Sequence, residues 1–417
     1  SYYYKQQINC IKRTIMGILD KASFYLPAGA AYKESEIWAA KPLTDDAKCN
    51  FVRNAVSTRT TDCEEVGSVD NDIPAYRYRN GVPFLQLEQQ STNLEKNSHG
   101  FTGGATYYTN PNWYEQQVTI TNNTVVSPEG KINGHTLALT ASSFDTYTQY
   151  TGLTNGTTYT WSCYVKLGTA TNFCVVPNDT TNWDIFNSQS GAIKEFTSAD
   201  GLSTTEWTRV SVTVAANSTA KINLHLGGHS NSVLTQQTAG TVYIWGIQME
   251  QGSVPTSLIK TTGAAATRDE TKIRNTNTNL WNNGSGVLYT DIYWYGGAAG
   301  QTLGIDGASS LVRIYVNSNG TISAHYFESS TYKATTSHVV TEGRHKIAYK
   351  YSSGSSALYI DGVKVDSSTG AYSTVSFDNL RINELWGGYE YGSVDLYEAA
   401  VFDQTLNDDE LISLTTL

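Results

Sequence analysis

Apolar and polar side chains alternate with a period of two through much of the chain, which is the pattern of β-strands. In Val242–Met249, Tyr243, Trp245, Ile247 and Met249 fall on one side and form a broad apolar face. The alternation predicts further strands at Thr136–Thr140, Tyr159–Lys166, Phe173–Pro177, Thr208–Val214 and Lys221–Leu226. Short strands at this spacing indicate an antiparallel β-sandwich.

A second series of alternating segments follows a linker rich in Thr and Asn at 271–283. It predicts strands at Gly286–Tyr295, Leu311–Val316, Ser323–Phe327, His345–Tyr351, Ala357–Ile360 and Val394–Phe402. The first hundred residues have a mixed pattern, with a short helix predicted over Ala31–Ala40. The sequence therefore predicts an all-β protein with two antiparallel jelly-roll sandwiches in tandem, at 101–268 and 269–417, after an irregular segment at 1–100.

Turn signals punctuate these strands. Asn80-Gly81 and Asp361-Gly362 predict hairpins, because both central residues of a type I′ turn have positive φ. Asn407 and Glu410 have the spacing of a capping box, which predicts a last helical turn. Trp161, Trp207 and Trp245 lie inside strand patterns and are predicted to be core residues.

Composition narrows the function classes. Charged residues make up only 16% of the chain and the formal net charge is −10, whereas sequence-independent nucleic-acid binding needs a basic surface. No run is long enough to be a transmembrane helix, and no signal-peptide core is present. We therefore expect neither a nucleic-acid partner nor membrane insertion.

The five cysteines show no zinc-like spacing. Cys163 and Cys174 lie on predicted strands and are expected to be reduced core thiols, although a disulfide between neighbouring strands is the alternative. Reduced thiols are typical of a protein assembled in a reducing cytoplasm.

Two motifs carry a resemblance to a known family. The segment YIWGIQMEQGSVPTSLIKTTGAAATR, ending at Arg268, resembles a recurrent strand-and-strap element of bacteriophage virion proteins. Upstream, the segment 51–94, with LQLEQQSTNL at its end, resembles a second element of that family. The resemblance implies a tail or head fibre or receptor-binding protein on the virion exterior. It also implies assembly in the host cytoplasm, attachment to other virion proteins through the N-terminal segment, and a homotrimer.

Both predicted sandwiches resemble sugar-binding modules. WSCYVKLG and WTRVSVTV resemble strands of jelly-roll carbohydrate-binding modules, and LYIDGVKV with the C-terminal segment resembles a laminin-G or concanavalin-A-like lectin domain. Sugar rings stack on aromatic side chains while neighbouring polar groups bind their hydroxyls. The candidate sugar-binding residues are the aromatic residues beside Gly-rich or loop-like segments: Trp386, Tyr389, Tyr391, Trp294, Tyr295 and Trp183. The alternative for each residue is packing against a sheet edge or a partner subunit.

Reactive constellations are missing from the sequence. Asp395 and Glu398 are three residues apart and are predicted to lie on opposite faces of a strand, whereas glycosidases need two nearby carboxyls. There is no Gly-x-Ser-x-Gly elbow, HExxH motif or phosphate-binding loop. Asp361, Asp366, Asp378 and Asp395 are too scattered for a calcium loop. We expect no catalysis, metal or cofactor.

These observations favour a phage fibre that adheres to host-surface or environmental glycans. One alternative is a glycan-degrading tailspike whose acid pair comes from two chains. The other is a capsid-decorating protein that binds only other virion proteins.

Overall fold

The protein is a two-unit, all-β chain in a computed structural model. The structure describes residues 17–33, 35–53, 57–60, 66–69, 74–103, 109–110, 112–116, 118–139, 144–178, 194–216, 221–228, 240–297, 300–384 and 393–417. Unit 1 comprises residues 1–55, 69–90 and 269–417, and unit 2 comprises residues 56–68 and 91–268. Within the described ranges, the chain has no helix with the length and apolar character to span a bilayer.

Unit 1 contains an eight-stranded sheet, called sheet A here. Its strands are β1 (Phe24–Pro27), β7 (Tyr76–Arg79), β8 (Val82–Leu87), β23 (Ser285–Trp294), β28 (Gly343–Ser352), β29 (Ser356–Ile360), β30 (Val363–Ser368) and β32 (Val394–Phe402). The spatial order is β30-β29-β28-β23-β32-β8-β7, and β1 also pairs with β32. All of these pairs are antiparallel.

A nine-stranded antiparallel sheet, sheet B, forms the second layer of unit 1. In spatial order its strands are β2 (Tyr32–Lys33), β3 (Glu36–Trp38), β4 (Lys48–Val52), β22 (Lys272–Asn275), β31 (Asn379–Ile382), β24 (Gly300–Asp306), β25 (Ser310–Val316), β26 (Thr321–Glu328) and β27 (Thr331–Val339). Leu288 and Ile292 of sheet A share one apolar core with Ile305 and Ile314 of sheet B. The two sheets therefore form a sandwich.

The outer face of sheet A is partly covered. The C-terminal helix, Asp408–Thr415, places Leu411 and Leu414 against Tyr289, Tyr359 and other outward residues of sheet A. Asn407 and Glu410 form the predicted capping box, which is confirmed. Residues 17–19 are also helical, and there are three short 3₁₀ helices in the described structure: Asp45–Ala47, Ser198–Asp200 and Thr278–Leu280.

The N-terminal segment differs from its prediction. Residues 31–40 contain β2 and β3 rather than a helix. Six strands before residue 88 belong to the sheets of unit 1: β1, β7 and β8 to sheet A, and β2, β3 and β4 to sheet B. Phe24, Ile37 and Phe51 are fully buried in the unit 1 core. Unit 1 joins residues 1–55 and 69–90 with residues 269–417, while residues 91–100 belong to unit 2.

Unit 2 is a second sandwich. One sheet contains, in spatial order, β10 (Thr102–Gly103), β11 (Asn112–Gln116), β14 (Phe144–Thr151), β19 (Lys221–Gly228), β16 (Phe173–Asn178) and β17 (Lys194–Phe196). The other contains β12 (Val118–Val126), β13 (Ile132–Leu139), β20 (Gly240–Gln251), β15 (Thr158–Leu167) and β18 (Thr208–Ala215). Two-stranded ribbons pair β5 (Ser57–Thr60) with β6 (Val66–Val69) and β9 (Ser91–Asn93) with β21 (Ala266–Arg268).

The core of unit 2 is aromatic. Trp113, Trp161 and Phe173 are fully buried between the sheets, so the prediction for Trp161 is confirmed. Cys163 and Cys174 are buried thiols and form no disulfide with each other, as expected. The predicted all-β fold is confirmed in both units.

The central strand β20 departs from simple alternation. Gly246 has φ +67°, and the pairing with β15 shifts register between Ser162 and Tyr164. This β-bulge directs Ile247 and Met249 into the unit 2 core, whereas Trp245 packs on the opposite face with Tyr164 and Leu258. The predicted common face of Tyr243, Trp245, Ile247 and Met249 is therefore wrong, because an inserted residue reverses the parity of the strand. Trp207 is only half-buried beside Trp245.

The segment that follows β20, residues 252–268, is called the strap here. Buried polar side chains fix its position. The fully buried Glu250 carboxylate accepts hydrogen bonds from Ser91 Oγ, the Thr256 backbone N and Gln248 Nε2. Asn93 donates to the carbonyls of Ile247 and Ile259 and accepts from two backbone N–H groups. Arg268 donates to Ser257. The motif residues thus act structurally, by attaching the strap to β9 and β20.

A fully buried carboxyl gives unit 2 a testable pH dependence. Burial raises the pKa of Glu95 to about 7, against hydrogen bonds from Tyr150 and the Asn97 backbone that favour the charged form. Because the folded pKa lies above the unfolded pKa, this group's stabilisation is complete below pH 4.5 and disappears as the pH rises through 7. We expect Glu95→Gln to stabilise unit 2 by about 3 kcal/mol at pH 8 and much less at pH 5.

Urea unfolding at both pH values measures this difference. Glu206→Gln, at an exposed site of the same unit, is the control and should change little. Equal effects of Glu95→Gln at pH 5 and pH 8 would contradict the assignment.

Candidate functional site

The predicted sugar-binding residues have different positions. Trp386, Tyr389, Tyr391 and Trp183 lie outside the described residues. Trp294 is 5% exposed and packs in the core of unit 1, where a sugar ring has no access to it. Tyr295, directly after β23, is half-buried and belongs to a cluster on the outer face of sheet A.

A row of four different side chains crosses this face. In adjacent strands, Arg344 pairs with Tyr293, Tyr293 with Asp395, and Asp395 with Gln86. Their neighbours Ile292, Leu396 and Leu85 point into the core, so the row points outward. Tyr295 follows Tyr293 on the same face, with ring centroids 4.9 Å apart. This set, together with Arg79, is called the sheet A row below.

Arg79, at the end of β7, connects the row. Its Nη2 donates to Tyr295 Oη (2.7 Å) and Asp395 Oδ2 (2.8 Å), and its Nη1 donates to Tyr397 Oη (2.8 Å). The guanidinium carbon lies 4.1 Å from the centroid of the Tyr293 ring. The Arg79 side chain is still 32% exposed. The arginine therefore orders the tyrosines while presenting part of its guanidinium to solvent.

Asp395 is the buried acceptor of the row. It is fully buried, and burial raises its pKa to about 6, opposed by the hydrogen bond from Tyr295 and the charge of Arg79. Burial and the Asp395 carboxylate raise the pKa of Tyr295, so its phenol remains a donor. Among the described residues, Asp395 Oδ1 has no hydrogen-bond partner. In the sequence, Asp395 is three residues after the end of segment 385–392, which contains Trp386, Tyr389 and Tyr391 and lies outside the described residues.

A second bulge corrects the expected placement of the carboxylates. In β32 the pairing shifts from Ile292–Leu396 to Asp291–Glu398, so Tyr397 is the extra residue. Asp395 and Glu398 consequently lie on the same outer face, and the predicted opposite placement is wrong. Glu398 accepts hydrogen bonds from Tyr25 and Tyr289, which belong to the outer face. The bulge thus brings Asp291, Asp395 and Glu398 to one surface.

The acids of this surface are held by other groups. Arg344 donates to both oxygens of Asp291, at 2.8 and 2.7 Å, and stacks on Tyr397 at 4.1 Å. Burial is the main cause that raises the pKa of both Asp291 and Glu398. In the described ranges, no group of three or more His, Cys, Asp or Glu side chains is arranged to hold a metal ion.

Sequence reasoning missed most of the row. The alternating segment Tyr76-Arg77-Tyr78-Arg79 places both arginines on one side of β7, and this was the available signal for Arg79. Tyr293 and Tyr295 lie on either side of Trp294 in the sequence. Since Trp294 points into the core, this alternation was the available signal that both tyrosines point outward. The pairing of β7 and β8 with β32 comes from distant parts of the chain, so no local pattern predicts the row.

Known proteins are similar to only part of the chain. No family model matches it, and no curated protein matches it. Among solved structures, the Ruminococcus gnavus IT-sialidase CBM40 bound to α2,6-sialyllactose is similar over 32% of this chain and 84% of its own, with 16% identity and a TM-score of 0.29. The heptameric SAP-like pentraxin of Limulus polyphemus is similar over 31% of this chain and 68% of its own, with 16% identity and a TM-score of 0.27. The binding domain of botulinum neurotoxin DC in complex with SialylT is similar over 35% of this chain and 39% of its own, with 12% identity and a TM-score of 0.30.

Proposed function

We propose that this chain is a phage virion adhesion protein that binds glycans through the outer face of sheet A. The observation that carries the glycan part is the sheet A row, in which half-buried Tyr293 and Tyr295 lie beside Arg79, Asp395 and Gln86. Aromatic faces next to fixed donors and acceptors are the components of a sugar site. Many weak contacts of this kind, multiplied by copy number on a particle, produce firm attachment.

The row is prepared for a ligand before binding. Arg79 and Tyr295 are held by hydrogen bonds to Asp395, so little side-chain entropy is lost when a sugar binds. Gln86 Oε1 is a buried acceptor without a hydrogen-bond partner in the described structure, and Asp395 Oδ1 is a second one. Both atoms are buried, so the partly exposed guanidinium of Arg79 is the group that donates to the hydroxyls of a saccharide.

The virion part of the proposal rests on the resemblance of the two motifs. The buried network of Asn93, Gln248 and Glu250 explains why such a motif needs these residues: they fix the strap. Docking to other virion proteins through the N-terminal segment, residues 1–100, belongs to this part of the proposal. A homotrimer and a position on the virion exterior are part of the same proposal, and labelling of particles with an antibody to this chain tests the location.

A glycan array with purified protein tests adhesion. We expect binding to a restricted set of glycans, and a loss of at least about tenfold for Tyr293→Ala, because one stacking contact of about 1.4 kcal/mol corresponds to a factor of ten. Tyr78→Ala is the matched control, since Tyr78 lies on β7 beside Arg79 and is 45% exposed. An array without any signal would favour the capsid-decoration alternative, and equal losses for both variants would reject the sheet A row.

One observation favours a second candidate function, glycan hydrolysis. The bulge at Tyr397 places Asp291, Asp395 and Glu398 on one face, and glycosidases use nearby carboxyl pairs. We propose binding without hydrolysis, because Arg344 occupies both oxygens of Asp291 and two tyrosines occupy Glu398. Release of reducing ends from a bound polysaccharide, lost in Glu398→Gln, would overturn this part.

A further inference from the structure

A second outward row crosses sheet B of unit 1. In adjacent strands, Arg274 pairs with Arg381, Arg381 with Gly304, Gly304 with Arg313, and Arg313 with His325. The neighbouring residues Ile273, Ile305, Ile314 and Ala324 belong to the unit 1 core, so the row points away from the core. Three arginines on one face are unusual in a chain with a net charge of −10.

Two of these arginines are neutralised. Glu384 forms ion pairs with Arg274 and Arg381, and Asp306 accepts from Arg381 Nε. Within the described ranges, by contrast, no carboxylate forms an ion pair with Arg313. In the described structure, Arg313 is therefore the arginine of this row that keeps an uncompensated positive charge.

Arg313 is largely buried. It is 9% exposed, and its buried Nε has no hydrogen-bond partner in the described structure. Its Nη2 is 3.4 Å from Tyr332 Oη, and its guanidinium carbon lies 4.8 Å from the centroid of the Tyr315 ring. A buried guanidinium with an unused donor is costly unless a ligand completes its hydrogen bonds. Burial and the charge of Arg313 lower the pKa of His325 to about 4, so Arg313 supplies the charge at neutral pH.

The surroundings of Arg313 provide an aromatic surface. Gly304, between Arg381 and Arg313 in the row, is itself buried. Beside Arg313, Tyr332 is 54% exposed, and its ring centroid lies 5.1 Å from that of Phe327 and 4.8 Å from that of His325. An exposed aromatic ring beside a guanidinium suits a sugar that carries an anionic group.

The turn that precedes Tyr332 is strained. Ser329 and Ser330 have φ values of +47° and +65°, which are left-handed conformations that cost non-glycine residues on the order of 1–2 kcal/mol each. Asn-Gly is the favoured pair for such a hairpin turn. Strain of this kind is concentrated at functional sites, and here it sets the position of β27 and its tyrosine against Arg313.

We propose that the cluster formed by Arg313, Tyr315, His325 and Tyr332 is a second glycan site, which binds a carboxylate-bearing sugar. Arg313 pairs with the sugar carboxylate through its planar fork, and Tyr332 stacks on the ring. The inference concerns a different surface from the sheet A row, so either site can fail without the other.

The test uses two acidic oligosaccharides, an oligogalacturonate and a hyaluronan tetrasaccharide, each beside its methyl ester. Isothermal titration of the full chain should show at least one acid bound at least tenfold more tightly than its ester, with an affinity that falls with salt. Arg313→Gln and Tyr332→Ala should each weaken this binding at least tenfold, Arg313→Lys should weaken it less than Arg313→Gln, and Tyr78→Ala, at an exposed site, should leave it unchanged.

Several results would overturn the inference: no binding of either acid, equal binding of the esters, or full binding by Tyr332→Ala and Arg313→Gln. Equal affinity for a poly-glutamate peptide would also reject it, because the site would then bind acidic peptides. If Arg313→Gln fails to fold by circular dichroism, the exposed Tyr332→Ala variant decides. Array binding that depends on Tyr293 but not on Tyr332 or Arg313 would reject only this second site.

Discussion

Replacing Glu250 by alanine should destabilise unit 2 by about 3–5 kcal/mol, since removal of this buried acceptor leaves several buried donors without a partner. Thr256 loses acceptors for both its backbone N and its Oγ1, at 2.8 and 2.7 Å, and Ser91 Oγ loses one at 2.5 Å. Gln248 Nε2 keeps only carbonyl and hydroxyl contacts at longer distances. The strap should then detach from β9 and β20.

Urea unfolding gives the free-energy difference, and amide hydrogen exchange locates it. We expect faster exchange at Ile259 and Thr256, whose N–H groups are bonded in this network, while unit 1 amides keep their rates. Glu206→Ala, at an exposed site in unit 2, serves as control. A loss below 1 kcal/mol for Glu250→Ala would show that the network contributes little.

Arg79→Ala should abolish glycan binding by the sheet A row and destabilise unit 1 by about 3 kcal/mol. The substitution leaves the fully buried Asp395 without its cation and removes the group that orders Tyr295 and Tyr397. Arg79→Lys keeps the charge but not the three hydrogen bonds, and should retain part of the stability while losing most of the binding.

The pH dependence of this variant separates the charge effect from lost packing. Asp395 has a folded pKa of about 6, above its ordinary value, so its stabilisation is present at low pH and is lost as the pH rises through 6. Without Arg79 the folded pKa rises further. Denaturation should therefore show a smaller deficit for Arg79→Ala at pH 4 than at pH 8. A deficit that is independent of pH would mean that lost aromatic packing, and not the Asp395 charge, is responsible.

Local pattern predicted much of the fold. β32 begins and ends at the predicted residues, and the Asn80-Gly81 and Asp361-Gly362 turns have the expected positive φ values. These features depend on side-chain periodicity and on turn chemistry, both of which are properties of neighbouring residues. The assignment of strands to the two sheets of each unit could not be predicted from local pattern, because it depends on pairing between strands that are far apart in the sequence.

Bulges account for two errors in the predicted direction of side chains, one in β20 of unit 2 and one at the candidate site in β32. An extra residue at Gly246 and another at Tyr397 each reverse the side-chain parity of their strand. The first moved Trp245 to the face opposite Ile247, and the second moved Glu398 to the face of Asp395. Gly246 was a usable signal, since an isolated glycine inside a strand often marks a bulge. No comparable signal marks Tyr397.

The interleaved order of the two units has a consequence for synthesis on the ribosome. Ser23 bonds to Val401, which is 378 residues further along the chain, and all of the described unit 2 strands are translated between them. At roughly 5–20 residues per second, the N-terminal strands wait tens of seconds for their neighbours. During that interval, the apolar side chains of β1, β3 and β4 that are buried in the folded protein remain exposed. The edges of β1 and β4 that pair with β32 and β22 have no partner. Nascent chains should therefore need a chaperone, and truncation before β32 should yield aggregates.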